Sequence, residues 1–187
     1  MLSKKPFEVP PYLLAYTKGM PKVRMAIAGA NHPLSLKSIR LSVDAGLIDP
    51  VLVGNLDHIR AAAQEIDWDL GGYEIIKADG EEQTAITAVE ICKSGEAAAL
   101  MKGHIHTDAL MTAVINRDKG LRTDRRLSHI FHMTIPNDKR VLMITDGAVN
   151  VCPDTSTKID IINNAVGLAH VLGNPQPRVA LLSGTEL

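Results

Sequence analysis

The chain reads as an α/β protein, a parallel sheet covered by helices in three layers. Two observations predict this class. Short apolar runs alternate with amphipathic segments from residue 23 to residue 117, the rhythm of strands joined by crossover helices. Hydrophobic residues make up 45% of the sequence but aromatics only 3%, so the core is aliphatic, as suits strands buried on both faces.

The elements follow in order. Residues 1–21 are rich in proline and are expected to be extended, with the apolar segment 12–16 against the body. Residues 23–29 form the first strand. A helix then opens at Asn31-His32-Pro33, with proline in its first turn, and runs through Leu34, Ile39, Leu41 and Val43 to Gly46. A strand at 50–54 leads to a helix carrying Ile59, Ala62, Ala63 and Ile66. A third strand spans 73–76. The helix 81–93 presents Ala85, Ala88, Val89 and Cys92 on one stripe and closes at Gly95. A fourth strand at 97–101 precedes a helix at 107–117.

The rhythm changes beyond this point. Residues 120–127 are basic and lack an apolar period. Strands at 128–133 and 141–145 are joined by Pro136-Asn137-Asp138-Lys139, a link short enough for an antiparallel pair. The second of them reads as fully buried. A helix over 155–172 carries Ile159, Ile162, Val166 and Ala169 at helical spacing. Within it Thr157 and Asp160 resemble a capping box with Asp in place of Glu. Gly173 ends the helix and 179–183 reads as another strand. The division is therefore a first domain at 1–122 and a second at 123–187, whose two strands, one helix and final strand make an incomplete unit.

Composition narrows the function. A formal net charge of −1 gives no general attraction to nucleic acid or to an anionic membrane. Two cysteines, Cys92 and Cys152, build no disulfide framework, so a reducing cytoplasm is expected. The first residues hold no apolar run long enough for a signal peptide or a membrane span.

Several stretches hold residues suited to chemistry. Residues 141–150 run from a strand through Asp146-Gly147 to a helix start at Pro153-Asp154-Thr155, and open α/β proteins place ligands beyond the carboxyl ends of strands. Residues 101–107, Met-Lys-Gly-His-Ile-His-Thr, stand at another such junction. There Lys102 and the amides at Gly103 could meet an anion and Thr107 could cap the helix; plain capping beside a surface lysine is the competing reading. Arg122, Arg125 and Arg126 could bind phosphate through their guanidinium forks, or form a solvated face. Ser128 and Asn150 could donate to a carbonyl or phosphate oxygen. Asp146 could act as base, orienting group or turn residue. His104 with His106, two apart and on one face if on a strand, raises a zinc hydrolase as an alternative. His129 and His132 would face opposite ways, and no His-Glu-x-x-His pattern is present. Cys152 has no histidine near it in sequence and reads as inert. Neither Gly-x-Gly-x-x-Gly after the first strand nor a Gly-Lys-Ser/Thr loop occurs, which counts against nicotinamide-cofactor and P-loop proteins.

Taken together, residues 101–108, 120–129, 144–150, 158–165 and 177–183 resemble the phosphate acetyl/butyryltransferase family. The wording Gly-Leu-Arg-Thr-x-Arg-Arg is most similar to its butyryl-type branch, including the transferase part of proteins that join it to an enoyl-CoA hydratase-like domain. The resemblance implies reversible acyl transfer between coenzyme A and inorganic phosphate, with coenzyme A as substrate and no other cofactor or metal. It implies a two-domain fold like that of isocitrate and isopropylmalate dehydrogenases, a homodimer, and a site in the interdomain cleft. Ser128, Asp146 and Asn150 would be catalytic; Lys102, Gly103, Thr107, Arg125, Arg126 and Gly147 would bind substrate. Chains of this family continue past the Ala-Leu-Leu-Ser strand into a segment holding a Ser-Arg pair and an Asp proposed as base. This chain is accordingly expected to be a C-terminally truncated version, and a non-catalytic remnant that binds acyl-CoA or a partner is the alternative. In the acetyl branch a cysteine often follows the turn aspartate. Here Gly147 stands there, so the resemblance implies direct transfer without a covalent intermediate.

Overall fold

The computed structural model describes residues 9–134, 140–147 and 149–182. The chain divides into two compact units, residues 1–122 and 123–187. The first contains α1 (Pro11–Thr17), β1 (Val23–Ala28), α2 (Pro33–Asp44), β2 (Ile48–Gly54), α3 (Leu56–Glu65), β3 (Glu74–Lys77), α4 (Glu81–Lys93), β4 (Ala99–Lys102) and α5 (Thr107–Val114). The second contains β5 (Ile130–Thr134), β6 (Val141–Thr145) and α6 (Thr155–Val171).

The first unit is a four-stranded parallel sheet in the order β3-β2-β1-β4. Side chains alternate across it with the strand period of two. Ala26, Ala28, Val51 and Val53 pack on one face with Ala85 and Ala88 of α4 and Leu110 of α5. Ile27 and Leu52 pack on the other with Leu36 and Ile39 of α2 and Ile59 and Ala62 of α3. These are the three layers that the alternating pattern predicts. Burial of each large aliphatic side chain, such as Ile27 or Leu52, contributes about 1.5–3 kcal/mol relative to exposure. At the amino end of the sheet Arg24 donates to Asp49, its register partner on β2, at 2.7 Å and also pairs with Glu74.

Helix starts follow local chemistry. His32 caps α2 by accepting from Leu34 N at 3.1 Å, and Asn55 caps α3 by accepting from Asp57 N and His58 N, both at 3.1 Å. The segment after Pro11, expected to be extended and packed, is instead the short helix α1, with Tyr12, Leu14 and Tyr16 exposed. Proline suits a first helical turn, and the Leu-Leu-Ala that follows favours helix.

In the second unit β5 and β6 pair antiparallel, with Phe131 opposite Ile144 and Met133 opposite Leu142. The predicted connection 136–139 lies outside the described residues. The expectation of a fully buried β6 is corrected. Leu142 is 51% and Ile144 43% exposed, because one helix, α6, packs on this two-stranded ribbon and covers one face of it. The predicted strand at 179–182 is likewise absent; Leu181 and Leu182 are 72% and 94% exposed. An apolar run becomes a strand only where a neighbour completes its ladder, and no described residue does so there. Residue 183 lies outside the described residues.

Candidate active site

Two constellations carry the candidate residues, one in each unit. In the first unit the strand order reverses between β1 and β4, so the crevice at their carboxyl ends is the topological switch point where open sheets bind ligands. It is formed by Gly29–His32 and Lys102–His106. Here the β4–α5 loop lies directly on the end of β1: Gly103 N donates to Ala28 O at 2.8 Å and His104 N to Gly29 O at 2.7 Å. A Cβ on Gly103 would stand 2.3 Å from Gly29 O, so only glycine permits this approach. Gly29 has φ +87°, and a Cβ there would stand 2.6 Å from Cγ2 of the buried Ile105.

Lys102 is exposed at the end of β4, and its Nζ donates to Ile105 O at 2.8 Å. Glu81, the first residue of α4, accepts from His106 N at 3.0 Å, and its oxygens lie 2.8 and 3.0 Å from His106 Nδ1. The bond from the His106 amide, then that from its ring, holds the Glu81 carboxyl below its ordinary range. The His32 and His104 rings stack 4.4 Å apart. Asn31 Oδ1 is buried without a hydrogen-bond partner among the described residues.

Two expectations change here. Thr107 is the first residue of α5 rather than its N-cap, a position taken by His106. His104 and His106 lie in a loop, not on a strand. One stacks on His32 and the other binds Glu81, and among the described residues no three His, Cys, Asp or Glu side chains converge on a metal-sized site. The zinc hydrolase alternative therefore has no ligand set among them.

In the second unit the turn after β6 grips the chain ahead of β5. Asp146 Oδ1 accepts from His129 N at 2.7 Å, while Oδ2 accepts from Asn150 N at 2.8 Å and from Asn150 Nδ2 at 2.6 Å. Asn150 Nδ2 also donates to Leu127 O at 2.9 Å, so both of its amide hydrogens are engaged. Burial pulls the Asp146 carboxyl upward, but the bonds from His129, Asn150 and Val149 outweigh it and hold the group below its ordinary range. From α6, Asn164 Nδ2 donates to Ser128 Oγ and to Arg126 O, each at 2.9 Å, and Asp160 accepts from Arg126 N at 3.0 Å. Asp160 thus tethers the basic segment and is no part of a capping box. Asp154 caps α6 by accepting from Thr157 N at 2.8 Å; that bond, with those from the Thr157 and Ser156 hydroxyls, lowers its carboxyl to about 2.

Arg125 and Arg126 are exposed beside Ser128 in the chain. Gly147 is sterically free, since a Cβ there would meet Phe131 Cε2 at an ordinary 3.6 Å. The residues that sequence reasoning did not single out as partners are Glu81, Asp160 and Asn164. Each reaches its partner across 25 residues or more, and no local spacing signals such a bond.

The first unit is a doubly wound sheet with a glycine-locked switch point, and the second is a unit whose turn clamps a Ser-His segment; both belong to the α/β class. The family model described as Phosphate acetyl/butaryl transferase matches residues 80–187, and the chain belongs to that family. A phosphate acetyltransferase of Rickettsia prowazekii is 39% identical over 178 residues, 93% of this chain and 50% of the relative. A phosphate butyryltransferase of Clostridium acetobutylicum is 35% identical over 171 residues, 91% of this chain and 56% of the relative. The solved structure of a branched-chain phosphotransacylase from Enterococcus faecalis V583 superposes with a TM-score of 0.71 at 26% identity, covering 88% of this chain and 57% of that one. The chain spans about half the length of the curated relatives it matches. Among the described residues no helix is long and apolar enough to cross a membrane.

Proposed function

We propose that this chain takes part in moving an acetyl- or butyryl-type acyl group between coenzyme A and inorganic phosphate. The observation that carries the reading is the family match over residues 80–187, a span that contains every candidate residue from Lys102 to Asn150. In the direction of thioester formation, the coenzyme A sulfur bonds to the acyl carbon of an acyl phosphate. The bond from that carbon to the bridging oxygen breaks, and phosphate leaves with the electron pair and the thiol proton. Lys102 in the first unit, and Arg125 and Arg126 in the second, are each cations suited to phosphate oxygens. Gly103 and Gly147 let backbone approach the ligand, and the Thr107 hydroxyl adds a donor at the first turn of α5. Ser128, whose oxygen accepts from Asn164, turns its hydroxyl hydrogen toward the carbonyl or phosphate oxygen. Asp146 and Asn150 position this segment; with both carboxylate oxygens occupied, Asp146 is not the thiol base. Rate enhancement comes from orientation and electrostatic stabilisation, with Gly147 offering no nucleophile. Coenzyme A is a substrate and no further cofactor is used. The same reading places the chain in the cytoplasm as a homodimer that engages neither nucleic acid nor membrane, a view supported by the family relationship and by the composition.

The test is coenzyme-A-dependent consumption of acetyl and butyryl phosphate by the purified chain, followed as thioester formed. Arg126→Ala and Ser128→Ala are each expected to lower kcat/KM by roughly tenfold to a thousandfold. Unchanged rates in both variants would refute the site. No thioester from the wild-type chain would refute the activity as a property of this polypeptide.

A further inference from the structure

The geometry points to Glu81 as a positioning residue for the Lys102 ammonium, acting through the single peptide unit between Ile105 and His106. The inference rests on the reading of Lys102 as an anion-binding cation. The N–H of that peptide belongs to His106 and donates to Glu81 Oε2 at 3.0 Å. Its carbonyl belongs to Ile105 and accepts from Lys102 Nζ at 2.8 Å. A trans peptide is planar, with N–H and C=O on opposite sides, so an acceptor fixed at one end sets the direction of the other. The chain of groups is carboxylate, peptide N–H, peptide C=O, ammonium, and hydrogen bonds in such a line polarise one another.

The rest of the loop is held independently of Glu81, and Lys102 Nζ also reaches Gly103 O, at a longer 3.5 Å. Gly103 and His104 are held by the β1 carbonyls of Ala28 and Gly29, and the Ile105 side chain is buried. The 105–106 peptide has Glu81 as its N–H partner. The second Glu81 contact, to His106 Nδ1, keeps the carboxylate from swinging away. Glu81 thereby ties the start of α4 to the loop that ends β4, and neither ring chemistry nor a metal is required of His106.

The experiment uses the full chain and inorganic phosphate as probe, with Glu81→Ala, Glu81→Gln and Lys102→Ala. Glu81 is exposed, and a thermal melt confirms that each variant is folded. Glu81→Ala is expected to speed exchange of the His106 amide by about tenfold. It is also expected to shift the Lys102 ε-methylene resonance and to weaken phosphate binding by roughly threefold to tenfold. Glu81→Gln keeps an acceptor oxygen for the His106 N–H and should stay near wild type in all three readouts, which a role through charge alone would not allow. Wild-type exchange and an unmoved Lys102 resonance in Glu81→Ala would overturn the inference. So would phosphate binding that Lys102→Ala abolishes and Glu81→Ala leaves intact. If Lys102→Ala itself leaves phosphate binding unchanged, the anion-binding reading of Lys102 fails. The Lys102 resonance then still decides the coupling: moved in Glu81→Ala and restored in Glu81→Gln supports it, unmoved refutes it.

Discussion

Replacing Gly103 by alanine tests the switch-point packing directly. The added Cβ would sit 2.3 Å from Gly29 O, 2.8 Å from Gly29 C and 3.0 Å from Ala28 O, all backbone atoms at the end of β1. A carbon normally approaches a carbonyl oxygen to no less than about 3.3 Å, so the loop must retreat by roughly 1 Å. That movement stretches the 2.8 Å bond from Gly103 N and the 2.7 Å bond from His104 N. Overpacking costs about 1–3 kcal/mol, and each weakened hydrogen bond about 0.5–1.5 kcal/mol. The expected loss is about 2–6 kcal/mol, a fall in melting temperature of roughly 4–24 °C at about 2–4 °C per kcal/mol for a chain of this size. Far-ultraviolet circular dichroism during heating reads it. Gly72→Ala is the control within the same unit, because a Cβ there meets nothing within 4 Å. It should change stability by less than about 0.5 kcal/mol. If Gly103→Ala melts with Gly72→Ala, the close approach of the β4–α5 loop to β1 is not what holds the crevice together.

Other outcomes follow from the second unit. Asp146→Asn must present an amide N–H₂ either to His129 N or to Asn150, donor facing donor, so the His129 or Asn150 amide should lose its exchange protection; retention of both refutes the clamp. Because the Asp146 carboxyl titrates below its ordinary value of 3.8 when folded, its stabilisation is complete above that value and is lost as pH falls through the lower, folded one. The His129 amide resonance should therefore titrate at a lower pH than an ordinary aspartate would impose. Asp154 follows the same sign, with its contribution to α6 present above 3.8 and lost as pH falls toward about 2. Asp154→Ala should remove that acid transition from the helical signal, and an unaltered transition argues against the cap. Asn164→Leu removes the donor to Ser128 Oγ and Arg126 O and should cost about 1–3 kcal/mol in a denaturant melt. Its activity, where the chain has one, should fall with that of Ser128→Ala, and an active, less stable Asn164→Leu would separate the two roles.

Periodicity, the interspersed glycines and the aliphatic composition together determined the first unit: four short apolar runs, each followed by a helix with one apolar stripe, have few solutions other than a parallel sheet with two helical layers. The helix at 81–93 was legible to the residue, because glycines flank it and its stripe is regular. The stretches 101–107 and 144–150 were legible as strand-to-turn junctions, since a strand ending in Lys-Gly or Asp-Gly announces a turn at a carboxyl end. What sequence could not carry was direction and partnership. The value of Gly103 depends on β1 lying alongside β4, seventy-odd positions away in the chain, and the strand order that brings them together is a tertiary choice. Apolar content led to a buried β6 and a strand at 179–182, yet burial requires a covering layer and a strand requires a neighbour's backbone. Asp146 looked the same by sequence whether base or turn residue. Only the arrival of donors from both flanking segments at its two oxygens made it a clamp. Local patterning thus set which segments form and which residue types stand at their ends; long-range packing decided which of those residues hold the fold and which stay exposed.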